Sequence, residues 1–351
     1  MNEEFIGALR EIVKEKGISE ELLFTTIEDA LVAAYKKNYA TTGNAAQNVR
    51  VSMNRETGEI HVYSQKKVAM DVQDEINEIS LEEAKSISPR YQLDDIVELE
   101  VTPRSFGRVA AQSAKQVVVQ RIKEAERNII YNEFVEKEYD IITGIIIRKD
   151  KGNVFVDLGK IEAVLGPNEQ MPGEEYNFNE RLKLYIVEVK NTTKGAQVIV
   201  SRTHPGLVRR LFELEVPEIY EGVVEIKSIA REAGSRTKIA VSSNDENVDP
   251  MGACVGPRGV RVQNIVDELK NEKIDIIKWD KLPEVYIANA LSPAKVLDVS
   301  IDEDLKSAQI IVDDSQLSLA IGKEGQNVRL AAKLTGWKID IKSKSQAENI
   351  E

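Results

Sequence analysis

"CVGPRGVRV" (residues 254–262) and "AIGKEGQNVRL" (residues 320–330) follow one pattern: a small residue, a β-branched residue, Gly-x-x-Gly and an apolar, helix-like run. Working outward, each is preceded by a strand-like segment, "KIAVSS" at 238–243 and "QIIVDD" at 309–314. Each is followed by an amphipathic run and a second strand, "KIDIIK" at 273–278 and "KIDIKS" at 338–343. The same unit is written twice, with a short insertion before the first motif. Two copies are too few for a solenoid.

A Gly-x-x-Gly between two short helices makes a turn without Cβ atoms at Gly256 and Gly259, or at Gly322 and Gly325. A phosphodiester chain can lie against such a backbone, and the helix that starts there points N–H groups at phosphate. With an apolar groove beside it, expected to be lined by Val255 and Ile321, the turn fits the KH mode, in which about four nucleotides are clamped. Arg258 and Lys323 lie between the glycines, where a cation meets phosphate, and Arg261 and Arg329 follow within a helical turn. One such motif alone reads as a plain helix–helix turn; two, each inside strand–helix–turn–helix–strand and each with a basic residue, read as RNA clamps. Pro257 stiffens the first loop, which is net positive, whereas Glu324 offsets Lys323 in the second. Unequal contributions are expected, with Arg258 mattering more than Lys323.

The chain has 351 residues, enough for several domains, with 42% apolar residues, 5% aromatics and a formal net charge of −12. That balance argues against indiscriminate binding to polyanions. The charge is uneven: residues 1–103 hold 11 Lys and Arg against 20 Asp and Glu, residues 104–127 hold 6 against 2, and residues 202–345 hold 21 against 23. A near-neutral half can still present a basic face. One cysteine, Cys254, excludes an internal disulfide and favours a reducing, cytoplasmic location. No apolar run is long enough to span a membrane. With one Cys, two His (His61 and His204) and no CxxC, HExxH or Walker motif, no metal, cofactor or catalytic constellation emerges, so the chain is read as a non-enzyme. Cys254 stands where the second copy has Ala320 and reads as a packing residue.

Upstream, residues 3–40 read as helices, with Leu23, Ile27, Ala30 or Leu31, and Ala34 on one stripe and Ser19 as an N-cap. "NVRVSMNRETGEIHVYSQKKVAM" (48–70) alternates about a turn and predicts a hairpin; Ser80 starts a short helix, and "DIVELEVTP" (95–103) reads as a strand. Residues 105–138 carry the longest helical pattern, with Arg108, Gln112 and Lys115 on one face. By pattern alone that face is simply solvated. Five short strand patterns within 139–202 fit a small closed barrel, either an OB fold for single-stranded nucleic acid or an SH3-like barrel.

With these segments in place, the chain resembles the bacterial NusA family of transcription elongation and termination factors. "FGRVAAQSAKQVVVQRIKEAER" (106–127), "KGNVFVDLG" (151–159), "SRTHPGLVRRLFELEVPEIYEG" (201–222), "DPMGACVGPRGVRVQNIVDEL" (249–269) and "DDSQLSLAIGKEGQNVRLAAKLTGWKIDI" (313–341) carry the likeness, which runs from about residue 3 to residue 344. It implies a multidomain α+β chain. An N-terminal α/β head with a long helix (1–132) would bind RNA polymerase. An S1-type OB barrel (133–202) and two type II KH domains (203–281 and 282–345) would bind RNA, with a tail at 346–351. The implied partners are DNA-directed RNA polymerase near its flap and RNA exit channel, nascent single-stranded or hairpin RNA, and other Nus factors with a ribosomal protein. The implied roles are pausing, elongation, intrinsic termination and antitermination by a monomer. Arg108 and Lys115 would then face exiting RNA, and Phe155 and Arg202 of the barrel would join the RNA-binding set. Acidic C-terminal repeats seen in some members, and their contact with polymerase, are not expected here, and the barrel offers few aromatics besides Phe155 and Tyr185. An RNA-processing or ribosome-associated KH/S1 protein is the alternative.

Overall fold

The computed structural model describes residues 3–39, 48–193 and 195–348; of the expected tail, residues 349–351 lie outside the described residues. The chain divides into two compact units, Met1–Ile129 and Ile130–Glu351.

The first unit begins with helices α1 (Glu3–Lys16) and α2 (Glu20–Tyr39), followed by strands β1 (Val49–Met53), β2 (Ile60–Ala69) and β3 (Glu78–Ser80). Helix α3 (Leu81–Ile87), strand β4 (Ile96–Glu100) and the start of helix α4 (Phe106–Val135) complete it. The hairpin pairs Val51 with Val62, and β2 also carries β3 and β4. Ser80 caps α3 by accepting the Glu83 N–H. The α2 stripe is Leu23, Phe24, Ile27, Leu31 and Tyr35, so Leu31 rather than Ala30 takes the buried place. This stripe packs on Val49, Val51, Met53 and Val62 and on Phe106, Ala110, Ala114 and Val118 of α4. Each large side chain removed from water in this way stabilises the unit by about 1.5–3 kcal/mol. The small Ala110 and Ala114, at four-residue spacing, give α4 a smooth inward face, while Arg108, Gln112 and Lys115 are exposed.

The second unit opens with a closed barrel of strands β5 (Ile141–Asp150), β6 (Asn153–Asp157), β7 (Glu162–Leu165), β8 (Arg181–Thr192) and β9 (Gly195–Ser201), in the order β5-β6-β7-β9-β8. Only β7 and β9 run parallel. Closure needs Gly144: a Cβ there would lie 2.3 Å from Val156 Cγ1. Val154, Val156, Leu165, Leu184, Ile186, Val198 and Val200 fill the interior with Phe134 of α4.

Helices α5 (Pro205–Glu215) and α6 (Pro217–Tyr220) lead into the first repeat: β10 (Val224–Glu232), β11 (Arg236–Ser243), α7 (Pro250–Val255), α8 (Val260–Glu268) and β12 (Lys273–Lys278). The second repeat is α9 (Pro283–Ala290), β13 (Val296–Asp302), β14 (Ser307–Val312), α10 (Leu317–Ile321), α11 (Gln326–Thr335) and β15 (Lys338–Ser343), with α12 (Lys344–Glu348) after it. Each repeat has a mixed three-stranded sheet, antiparallel then parallel, and each first strand carries a bulge at the same place, Ile226/Ser228 and Val296/Asp298. Ala230, Ala240 and Ile277 of the first repeat share one core with Tyr286, Ile287, Leu330 and Ala331 of the second. The repeats are therefore packed together rather than strung on a linker.

Candidate nucleic-acid interface

The two Gly-x-x-Gly loops have the same backbone to within a few degrees. Gly256 has φ 72° and ψ 174°, and Gly322 has 76° and 171°, a region open only to glycine. Arg258 (φ 55°, ψ 23°) and Glu324 (φ 54°, ψ 25°) are left-handed, as are Gly259 (φ 76°) and Gly325 (φ 74°). The glycines in each loop differ in what surrounds them. A Cβ on Gly256 would lie 2.6 Å from Arg261 Cγ, and one on Gly322 would lie 2.8 Å from the Asn327 backbone nitrogen. A Cβ on Gly259 would have no heavy atom within 4 Å, and one on Gly325 none nearer than 3.8 Å. The first glycine of each loop lets the loop fold, and the second leaves a bare face open to solvent.

This superposition corrects one equivalence. Counted from the first glycine, Arg258 matches Glu324 and Lys323 matches Pro257. The two cations between the glycines therefore stand at different positions, both exposed.

Both loops are braced from behind by the residue five places after the first glycine. Arg261 Nη1 donates to the Ala253 carbonyl at 2.6 Å and to Glu218 Oε2 at 2.9 Å. Asn327, buried, donates Nδ2 to the carbonyls of Ala320 and Leu291, each at 3.0 Å. Arg261, expected to touch RNA, thus holds the end of α7 in place.

A groove of about 540 Å³ is lined by Met251 of α7, the helix that leads into the first loop, by Ile276, Ile277 and Lys278 of β12, and by Asn289, Ser292, Pro293, Ala294, Lys295 and Val296 of the second repeat. A second, of about 580 Å³, adjoins the second loop and is lined by Ser235, Arg236 and Lys273 of the first repeat with Ser318, Gly322, Lys323 and Asn327 of the second. Pro293 lines both, so the two grooves meet there. Lys273 and Lys323 are exposed cations at the second groove; Arg236 is bonded twice to Asp275. Val255 and Ile321, expected to line grooves, line neither of these. Met251 and Ile276 line the first instead; the signal for Ile276 was the strand that follows the motif, and Met251 lies on the helix that precedes it.

Lys238 and Asp275 lock the repeats together behind the grooves. The fully buried Lys238 donates Nζ to Asp275 Oδ2 at 3.0 Å and to the Ser292 carbonyl at 2.7 Å. Burial depresses the Lys238 pKa. Burial works to raise that of Asp275, but bonds from Arg236 and Lys238 bring it below the ordinary carboxylate value.

On the barrel, Phe155 is half-buried on the outer face, with the Arg148 guanidinium 3.9 Å from its ring centroid and bonded to Glu162. That is a stacked cation on an aromatic, an arrangement that also accepts a nucleobase. Tyr185 is buried and stacked on His204, ring centroids 4.6 Å apart.

Arg202 requires a correction. Expected among the RNA-binding residues, it is fully buried. Its Nε and Nη2 fork onto Glu174, and Nη1 reaches Glu268 Oε1 at 3.2 Å and the Lys183 carbonyl at 2.9 Å. Burial opposes its charge, yet the Glu174 bonds hold its pKa above the usual arginine value. It joins the barrel to α8 and cannot reach a ligand. Arg329 is exposed but already bonded to Glu232.

A five-stranded barrel followed by two braced, bare-faced Gly-x-x-Gly units defines a multidomain RNA-binding protein of the S1/KH class. Comparison with known proteins carries this further. Family models match residues 4–128 (NusA N-terminal domain), 136–201 (S1 RNA binding domain), 202–279 (NusA-like first KH domain) and 283–349 (NusA-like second KH domain). Three relatives are each named transcription termination/antitermination protein NusA. That of Halalkalibacterium halodurans is 60% identical over 350 residues, covering 100% of this chain and 91% of the relative. That of Bacillus subtilis is 59% identical over 350 residues (100% and 93%), and that of Thermus thermophilus is 44% identical over 347 residues (97% and 89%). The chain belongs to the NusA family.

Proposed function

We propose that this chain binds DNA-directed RNA polymerase through residues 1–132 and nascent RNA through the barrel and both KH units, and so modulates pausing, elongation, intrinsic termination and antitermination. The flap and RNA exit channel are the docking region on polymerase, and other Nus factors, with a ribosomal protein, are further partners. The factor acts as a cytoplasmic monomer. The observation that carries the RNA part of this reading is the meeting of two grooves at Pro293, one lined by the helix that leads into the first loop and the other by Gly322 and Lys323 of the open-faced second loop. An extended strand runs from Arg258 along β12 to Lys323, with phosphates at the loops and bases in the grooves. Phe155 with Arg148 is a further contact in the second unit, and the exposed Arg108 and Lys115 are contacts in the first.

The test replaces both loops, Arg258→Asp with Gly259→Asp and Lys323→Asp with Gly325→Asp, and measures RNA affinity, pausing and polymerase binding separately. RNA affinity and pausing should fall while polymerase binding persists; unchanged RNA affinity would overturn the assignment. Labelled RNA should stay intact on incubation. Cleavage, or recovery of ribosomal subunits alone from an extract, would favour the RNA-processing or ribosome-associated alternative.

A further inference from the structure

The side chain that overlooks the bare face of the second loop is already occupied. Arg329 Nη1 donates to the Glu324 carbonyl at 3.0 Å and is the nearest heavy atom, at 3.8 Å, to a Cβ built on Gly325. A phosphate arriving at that face would meet this guanidinium. Its other two nitrogens, however, hold the carboxylate of Glu232, at the end of β10 in the first KH unit: Nε to Oε1 at 2.6 Å and Nη2 to Oε2 at 3.2 Å. Gln326, the first residue of α11, donates Nε2 to the same Oε2 at 2.9 Å and to Ser235 Oγ at 2.7 Å.

A planar two-oxygen anion held in an arginine fork, with an amide donor beside it at a helix N-terminus, is how proteins hold phosphate. The carboxylate is also held firmly in position. Its strand neighbour Arg231 makes a separate buried pair with Glu272, at 2.9 Å for each of two bonds, and so does not compete for it. The first loop has no such arrangement: Arg329 is matched there by Gln263, which bonds Asp267 on its own helix.

We infer that Glu232 is an internal stand-in for an RNA phosphate, occupying Arg329 and Gln326 in the free protein and setting how weakly the second loop holds RNA. The inference rests on the RNA-binding reading above. RNA at this loop must displace the carboxylate and then tolerate its charge nearby. With Glu324 already offsetting Lys323, this contact leaves the second clamp with no net positive charge, while the first keeps Arg258.

The test is a double-mutant cycle in the full chain, with a labelled single-stranded RNA of about 12 nucleotides, long enough for two KH units. Glu232→Gln should tighten binding about threefold to tenfold and steepen the salt dependence by about one unit of log–log slope. Arg329→Ala should change affinity by less than about twofold in the wild-type background, where a phosphate contact to the guanidinium is offset by the loss of its Glu232 bonds, and should cancel the gain in Glu232→Gln, where no such bonds are given up. If Glu232→Gln unfolds at lower temperature, Glu232→Ala is carried through the same cycle. Unchanged or weaker binding by the freed variants, or an Arg329→Ala effect equal in both backgrounds, would overturn the inference and make Glu232 a spacer between the units. The Arg258→Asp, Gly259→Asp variant runs alongside: if it too binds RNA normally, the RNA-binding reading has failed; if it binds weakly and Glu232→Gln gains nothing, only this inference has.

Discussion

Arg202 and Glu174 face each other as a two-point ion pair sealed from solvent, with Nε 3.1 Å from Oε2 and Nη2 2.5 Å from Oε1, both side chains fully buried. The pair ties the segment between β7 and β8 to the residue that follows β9, and through Glu268 to α8. Two buried charges are costly unless fully bonded, and here all five donors of the guanidinium have an acceptor, the fifth being the Glu268 carbonyl.

Arg202→Ala should therefore destabilise the second unit by about 3–5 kcal/mol, because Glu174 is left charged, buried and without its fork. Urea unfolding measures the loss. Since Arg202 is out of reach of a ligand, the salt slope of RNA binding should be unchanged wherever the variant remains folded; a shallower slope would show that Arg202 touches phosphate after all.

The two glycines of one loop should separate structure from binding. Gly322→Ala forces a side chain into a glycine-only conformation and against the Asn327 backbone, a cost of about 1–3 kcal/mol from crowding beyond the conformational strain. Gly325→Ala carries only the left-handed penalty of about 1–2 kcal/mol. Thermal unfolding should rank Gly322→Ala as the less stable, and Gly325→Asp should weaken RNA binding more than stability. Equal melting temperatures for the two alanine variants would contradict the packing argument.

Lys273 of the first KH unit lines the second groove, so under the proposed RNA path it would hold an RNA that spans both units. Lys273→Glu should lower affinity for an RNA spanning both KH units about tenfold and reduce the salt slope by about 1–2. Binding of a four-nucleotide RNA, which one unit accommodates, should barely change. A uniform loss for both lengths would place Lys273 on a single clamp instead of the junction.

Cys254 is buried, and burial pushes its thiol up to about 12. A thiol must lose its proton to react, so native protein should resist iodoacetamide at pH 8 and react promptly once unfolded in urea. The linkage has a matching sign. The folded pKa lies above the unfolded value of about 8.5, so the contribution is full below that value and is lost as pH rises toward 12. Stability should decline on the alkaline side of about pH 8.5, and Cys254→Ala should lessen that decline. Rapid labelling of the native protein would show that the site is open.

Much of the fold was legible because its signals are local. The hairpin of β1 and β2 is written in alternating residues about a turn, the α3 cap in Ser80, and the KH repeat in two strand–turn–helix strings that need no distant partner to be seen. The offset of Arg258 and Lys323 is legible too, by counting from the first glycine of each loop. For Phe155, alternation fixes the face on which the side chain lies and not what lies over it; Arg148 decides that from the neighbouring strand.

What remained hidden depended on charge meeting charge far along the chain. Arg202 reads as an exposed cation at the end of a barrel strand, and only Glu174 and Glu268, 28 and 66 residues away, make it an interior residue. Arg329 reads as an RNA contact on a helix that begins at a phosphate loop, and only Glu232, 97 residues upstream, takes it away. The chain's own residues dictate the two turns, the barrel and the class of ligand, since backbone conformation and apolar periodicity act over a few residues. Which cations are left free to meet that ligand is settled by folding. Coulomb energy depends on through-space distance and burial, and neither is a function of spacing along the chain.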